Sequence, residues 1–168
     1  MHVTNNDPTA ATDSAAAPGL RIDRVPRPDD LMAVVHAVPI AVPAARQRVR
    51  RWLDTLGWPV ERAEDIELAV NEAIANVVDH AYPPDARDTA TLHAWVSVDP
   101  RTRERRVVVA VTDRGRWAAY QPDSPSPAAR GHGLVMMSGC MAELHIQRSA
   151  AGTTVIMISA AVPPDALC

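Results

Sequence analysis

One run constrains the chain more than any other. From Glu61 to Tyr82 the apolar residues Ile66, Val70, Ala73, Ile74, Val77 and Ala81 recur three and four apart, which places them on one face of a helix. Pro83-Pro84 ends that helix, because proline lacks the backbone N–H and its ring clashes with the preceding turn. The 168 residues around it are the size of one domain, able to bury roughly two-thirds of the unfolded surface in a single core. A second catalytic domain has no room.

The rest of the chain supplies what this helix packs on. Residues 1–28 are rich in Ala, Pro, Thr, Asp and Asn with no apolar period, and read as a mobile tail. The fold is expected over 29–162, followed by a short tail at 163–168. Leu31–Ala37 reads as a strand. Ala44–Leu56 carries a helical stripe of Ala45, Val49, Trp52, Leu53 and Leu56, after the interruptions at Pro39 and Pro43, and Gly57 is placed to end it. Thr91–Val98 alternates, Arg106–Thr112 is apolar throughout its middle, and Asp99–Glu104 between them is turn-like, so the two form an antiparallel hairpin whose second strand is central. Residues 114–130, with Pro122, Pro125 and Pro127, form a loop of a length that is usually functional or mobile. A short helix at about Gly133–Met141 and a second hairpin, Glu143–Arg148 with Thr153–Ala160, complete the order. The expected fold is an α+β two-layer sandwich: a mixed, mostly antiparallel sheet with helices on one face.

Composition removes several chemistries. Every basic side chain other than histidine is arginine. Without lysine there is no Walker A loop, no eukaryotic-type kinase strand lysine and no pyridoxal Schiff base. The arginines are spread along a chain of net charge −3, so direct nucleic-acid binding is not expected. Cys140 and Cys168 form neither a CxxC pair nor a disulfide framework, the six histidines lack ligand spacing, and no segment has the ~20 apolar residues of a membrane span. The start lacks the charged and apolar regions of a signal peptide, and the expected location is the cytoplasm.

Four short patterns carry chemistry. Glu72 and Asn76 lie four apart on the long helix, on one face bordering the apolar stripe. A carboxylate there can accept a hydroxyl proton, and an Asn carbonyl oxygen is a hard, uncharged ligand suited to Mg²⁺. A solvated polar pair is the other reading, and taken alone it is the commoner one. Asp113-Arg114-Gly115 follows the central strand, where Asp113 can accept a hydrogen bond from an adenine amino group and Gly115 lets the ring approach the backbone; taken alone, it is a plain turn. Arg130-Gly131-His132-Gly133 opens a helix, offering backbone N–H groups and the positive end of a helix dipole to phosphates. Gly152-Thr153 starts the last strand.

Each pattern is weak by itself; their order is specific. With AVNEAIANVVDHAY at Ala69–Tyr82, DRGRW at Asp113–Trp117 and RGHGLVMM at Arg130–Met137, the chain resembles the GHKL (Bergerat-fold) ATPase superfamily and, within it, the anti-sigma factor kinases of the RsbW and SpoIIAB type, over residues of about 31–160. The resemblance implies ATP and Mg²⁺ as cofactors, with Glu72 as the general base and Asn76 as the metal ligand. Asp113 and Gly115 match the adenine box, and Thr153 matches the residue that supports adenine through water. Gly131 and Gly133 match the phosphate-contacting glycines, Arg130 reaches the terminal phosphate, and the Pro-rich loop is the ATP lid. It further implies serine/threonine kinase activity on an anti-sigma antagonist with a STAS domain, sequestration of a sigma factor, and a homodimer.

Two departures favour an alternative, a nucleotide-responsive switch that binds partners without transferring phosphate. Trp117 replaces the second glycine of the common DxGxG, and Asp79 stands where histidine kinases often carry a basic phosphate contact. A detached histidine-kinase domain ranks last, because no helix pair with a phosphoacceptor His precedes Glu72. His80 reads as a packed or capping histidine, and Met136, Met137 and Met141 as core. Arg46, Arg48, Arg50 and Arg51 read as a solvated face, with docking of acidic partners as the other possibility. His93 and Trp95 share the more polar face of their strand, where they meet a second subunit or nothing.

Overall fold

The computed structural model of the chain describes residues 3–6, 24–82, 88–115 and 132–164. Its elements in chain order are β1 (Val3–Asn6), β2 (Leu31–His36), α1 (Ala41–Thr55), α2 (Val60–Asn76), a π-helical turn (Val77–Ala81), β3 (Thr89–Val98), β4 (Arg105–Asp113), α3 (His132–Cys140), β5 (Glu143–Ser149) and β6 (Gly152–Ile158). The strands form one sheet in the order β1-β5-β6-β4-β3-β2. Every neighbouring pair is antiparallel except β1 with β5. Ala45, Val49 and Leu53 of α1, the α2 stripe and Met137 of α3 all enter the same core as Leu92, Val109 and Met157 of the sheet, so the helices share one face. The two-layer, mostly antiparallel arrangement expected from the sequence is the one observed. β1 is a departure, because it lies inside the stretch read as a tail. Its backbone is held in register with Leu144–Gln147 of β5, a non-local pairing that leaves no local period to read.

The boundaries follow from local chemistry. α1 starts three residues earlier than the sequence pattern suggests, because Pro43 falls in the first turn, where a missing N–H leaves no intrahelical bond unmade. It ends as expected at Gly57, whose φ of +60° suits the left-handed position. Gly57 N donates to Asp54 O and Trp58 N to Leu53 O, both at 3.1 Å, the paired bonds of a Schellman cap. Arg50 ties α1 to α2 through Glu67 at 2.7 Å, while Arg46, Arg48 and Arg51 are exposed. Leu53, Ile66 and Ile74 are fully buried, each burial contributing about 1.5–3 kcal/mol.

The long helix does not run unbroken to Tyr82. After Asn76 it widens into the π-helical turn Val77–Ala81, and Tyr82 leaves in an extended conformation (φ −131°, ψ 154°), as a residue preceding proline prefers. His80 in this turn is exposed rather than packed, and so is Asp79. Met137 and Met141 are core, whereas Met136 is 37% exposed and is not. No helix among the described residues is long and apolar enough to cross a membrane.

The apolar middle of β4 is explained by burial on both faces. Val107, Val109 and Val111 join the helix-side core, while Val108 and Ala110 join Trp95, Ile156 and Ile158 in a second cluster on the opposite face. On that face His93 and Trp95 stack at 4.7 Å between ring centroids, and the Arg24 guanidinium lies 5.6 Å over the Trp95 ring. These two residues therefore meet the chain's own Arg24–Asp30 segment. The Asp30 side chain, 4% exposed, accepts hydrogen bonds from Arg24, the Arg27 amide and His93 Nε2. Burial by itself raises the Asp30 carboxyl, but these three donors outweigh it and hold the group below the usual aspartate range.

That direction gives a pH prediction. A carboxyl whose folded pKa is depressed contributes stability that is complete above its unfolded value, about 4, and is lost as pH falls through the lower folded value. Asp30→Asn should therefore be less stable than wild type at neutral pH, with the difference shrinking between about pH 5 and pH 2. Chemical denaturation across that range checks it, and a constant difference would remove the ionic role of Asp30.

Candidate functional site

The site residues converge where the C-terminal end of the long helix, the start of α3 and the ends of β4 and β6 come together. Glu72 and Asn76 sit on the last turns of α2, both half-buried. α3 packs across α2 so that a Cβ placed on Gly133 would lie 3.2 Å from Glu72 Oε2 and 3.4 Å from both amide atoms of Asn76. A side chain at this position would have to push Glu72 or Asn76 aside by a few tenths of an ångström. The first turn of α3, whose N–H groups have no intrahelical partner, thus starts beside a carboxylate and a neutral carbonyl oxygen. Glu72 Oε1 accepts a 3.3 Å hydrogen bond from Asn71 Nδ2. Farther along α3, the Cys140 thiol is pushed up by burial and then by the charges of Asp65 and Glu72.

The second group lies at the strand ends. Asp113, 2% exposed, closes β4 directly opposite Thr153 of β6, itself 3% exposed, and opposite Ala90 of β3. Asp113 Oδ1 accepts the Gly115 N–H at 2.8 Å, closing the turn. Gly115 passes so close to the π-helical turn that a Cβ there would fall 1.9 Å from the Ala81 carbonyl oxygen; no other residue fits without moving backbone. Gly152 is likewise pressed on the Asp113 carbonyl, at φ +136°.

The structure therefore brings together Glu72, Asn76 and Gly133 in one group and Asp113, Gly115 and Thr153 in another, the two joined by the turn Val77–Ala81. Arg130 and Gly131, with Trp117 and residues 116–130 of the expected lid, lie outside the described residues. The residue missed from the sequence is Tyr82. Its hydroxyl accepts the Arg114 N–H at 2.9 Å and donates to the Thr89 carbonyl at 2.9 Å, and burial pushes its phenol above the usual range. The only hint was an aromatic hydroxyl placed between a helix and a Pro-Pro stop, since both partners are distant in sequence.

Comparison with known proteins gives a consistent picture. Residues 35–159 match the family described as histidine kinase-like ATPase domain. The serine-protein kinase RsbW of Halalkalibacterium halodurans is 33% identical over 93 residues, which cover 55% of this chain and 52% of that protein, so the chain spans about half the length of this relative. RsbW of Bacillus licheniformis is 33% identical over 114 residues, covering 61% of this chain and 67% of that protein. A crystal structure of RsbU and RsbW domains from Mycobacterium tuberculosis superposes with a TM-score of 0.60 at 24% identity, over 84% of this chain and 35% of that one, a likeness of fold.

Proposed function

The chain belongs to the histidine kinase-like ATPase domain family, in its RsbW-type branch, and from that premise we propose that it is an ATP-dependent protein serine/threonine kinase and anti-sigma factor. Its substrate in this reading is a STAS-domain anti-sigma antagonist, and its second partner is a sigma factor that it sequesters. We place the protein in the cytoplasm, as a homodimer.

The observation that carries the reading is the meeting of the α3 start with Glu72 and Asn76. Phosphoryl transfer needs positioning and charge stabilisation more than covalent chemistry, and the parts required are few. Glu72 accepts the proton of the attacking Ser or Thr hydroxyl. Asn76 Oδ1 is the donor suited to Mg²⁺, and the first-turn N–H groups of α3, which start beside Glu72 and Asn76, are suited to a phosphate. When bound, Mg²⁺ supplies positive charge to the phosphate oxygens. Asp113 accepts from the adenine amino group, Thr153 supports the ring from the neighbouring strand, and Gly115 lets the turn that carries Asp113 pack on Ala81 beside the base. Arg130 and Gly131 complete the phosphate contacts in this proposal.

The test is incubation of the full chain with γ-labelled ATP, Mg²⁺ and a STAS-fold antagonist. Label should pass to a serine or threonine as an acid-stable phosphoester, and ATP with Mg²⁺ should raise the melting temperature by mass action. Nucleotide binding without transfer to any such antagonist would replace the kinase with a partner-binding switch.

A further inference from the structure

The nucleotide site proposed above has two ends, and one side chain with no role yet assigned in it connects them. Tyr82 follows the π-helical turn that continues the helix bearing Glu72 and Asn76. Its hydroxyl makes two hydrogen bonds of 2.9 Å, accepting from the Arg114 backbone N–H and donating to the Thr89 carbonyl. Arg114 is the middle residue of the Asp113–Gly115 turn, and Thr89 opens the strand paired with β4. On the other side, Gly115 is pressed against the Ala81 carbonyl. The turn that carries Asp113 is thus held from two directions by consecutive residues, Ala81 by contact and Tyr82 by hydrogen bond.

We infer that Tyr82 is a positioning residue for adenine recognition, holding the Asp113 turn in the geometry that binds the base. This rests on the nucleotide-binding reading above. The hydroxyl is suited to the task because one atom serves both strands: it fills an acceptor role for an N–H at the end of β4 and a donor role for a carbonyl at the start of β3. A phenol is protonated across the physiological range and burial pushes its titration higher still, so the bond to Thr89 is maintained there. The phenylalanine ring could fill the same space but would leave both backbone groups without this partner. Because Tyr82 acts on the base end, its loss should weaken ATP and ADP alike, and leave the chemistry of the phosphate end untouched.

The experiment is Tyr82→Phe in the full chain, with Mg·ATP and Mg·ADP affinities by calorimetry, antagonist phosphorylation at saturating ATP, and hydrogen exchange at the Arg114 amide. The expected result is faster Arg114 exchange, Kd and KM raised roughly three- to tenfold for both nucleotides, and an unchanged kcat. A purely structural role would lower the melting temperature without this split. Unchanged affinity, a loss confined to ATP, or a fall in kcat would each overturn the positioning role. Should Tyr82→Phe fail to fold, fluorotyrosine in the otherwise intact chain decides, its resonance assigned against Tyr120→Phe. A Tyr82 resonance that moves with ADP supports the role, and one that ignores bound nucleotide overturns it. A wild-type chain that binds no adenine nucleotide would instead overturn the function itself, with Arg114 exchange still reporting the Tyr82 bond.

Discussion

Glu72→Ala is expected to lower phosphate transfer to the antagonist by at least about 100-fold, the usual loss for a positioned acid–base group, while leaving Mg·ATP affinity near that of wild type. The reason for the split is positional. Glu72 Oε2 lies beside Gly133 at the opening of α3, where phosphate is proposed to bind, so removing its negative charge takes no favourable contact from the nucleotide and relieves some like-charge repulsion. What disappears is the acceptor for the hydroxyl proton. Asn76→Ala is expected to differ in kind, because loss of the proposed neutral metal ligand would degrade the ground state as well as the transition state, raising Kd and slowing transfer together. Single-turnover transfer alongside calorimetry separates the two. Wild-type transfer by Glu72→Ala would end its assignment as the base.

What could be read from the sequence follows the range of the interactions involved. The α2 stripe, the Gly57 cap and the burial of β4 are written in local periodicity and turn chemistry, and these features stand where the pattern placed them, although α2 itself gives way to the π-helical turn after Asn76. The order of the motifs gave the groups Glu72–Asn76 and Asp113–Gly115, and the structure brings Gly133 to the first and Thr153 to the second. What local pattern does not carry was missed. The β1 pairing with β5 joins residues at opposite ends of the chain, and Arg24, Asp30, His93 and Trp95 meet only through the fold. The π-helical turn is hidden for a related reason: Val77 and Ala81 keep their apolar identity and their burial whether the backbone there is α or π, so the hydrophobic stripe does not distinguish them. Tyr82 is invisible for both reasons at once, since it leaves the helix at an irregular turn and finds both partners through β3 and β4.

Asp113→Asn is expected to remove most adenine-nucleotide binding without unfolding the chain. The substitution preserves size at a site only 2% exposed, and the amide oxygen can still accept the Gly115 N–H that closes the turn at 2.8 Å in the wild type. The opposition to Thr153 across the β4–β6 pair is a backbone register and does not depend on the charge. What changes is the other half of the group: a carboxylate offers only acceptors, whereas the asparagine turns an N–H₂ donor toward the adenine amino group. Two donors facing each other in a buried pocket leave both unsatisfied, at about 1–3 kcal/mol for each. Together these amount to a weakening of roughly 30- to 20,000-fold, on the scale of about 1.4 kcal/mol per factor of ten. ATP and ADP should lose affinity equally, because the defect is at the base and not at the phosphates. The shift in melting temperature expected of the wild type with Mg·ATP should then disappear at the same nucleotide concentration, while the melting temperature without nucleotide stays within a few degrees. Thermal melts with and without ATP, ADP and GTP measure all of this together. An Asp113→Asn chain that responds to ATP as the wild type does would show that the base is recognised elsewhere in the fold.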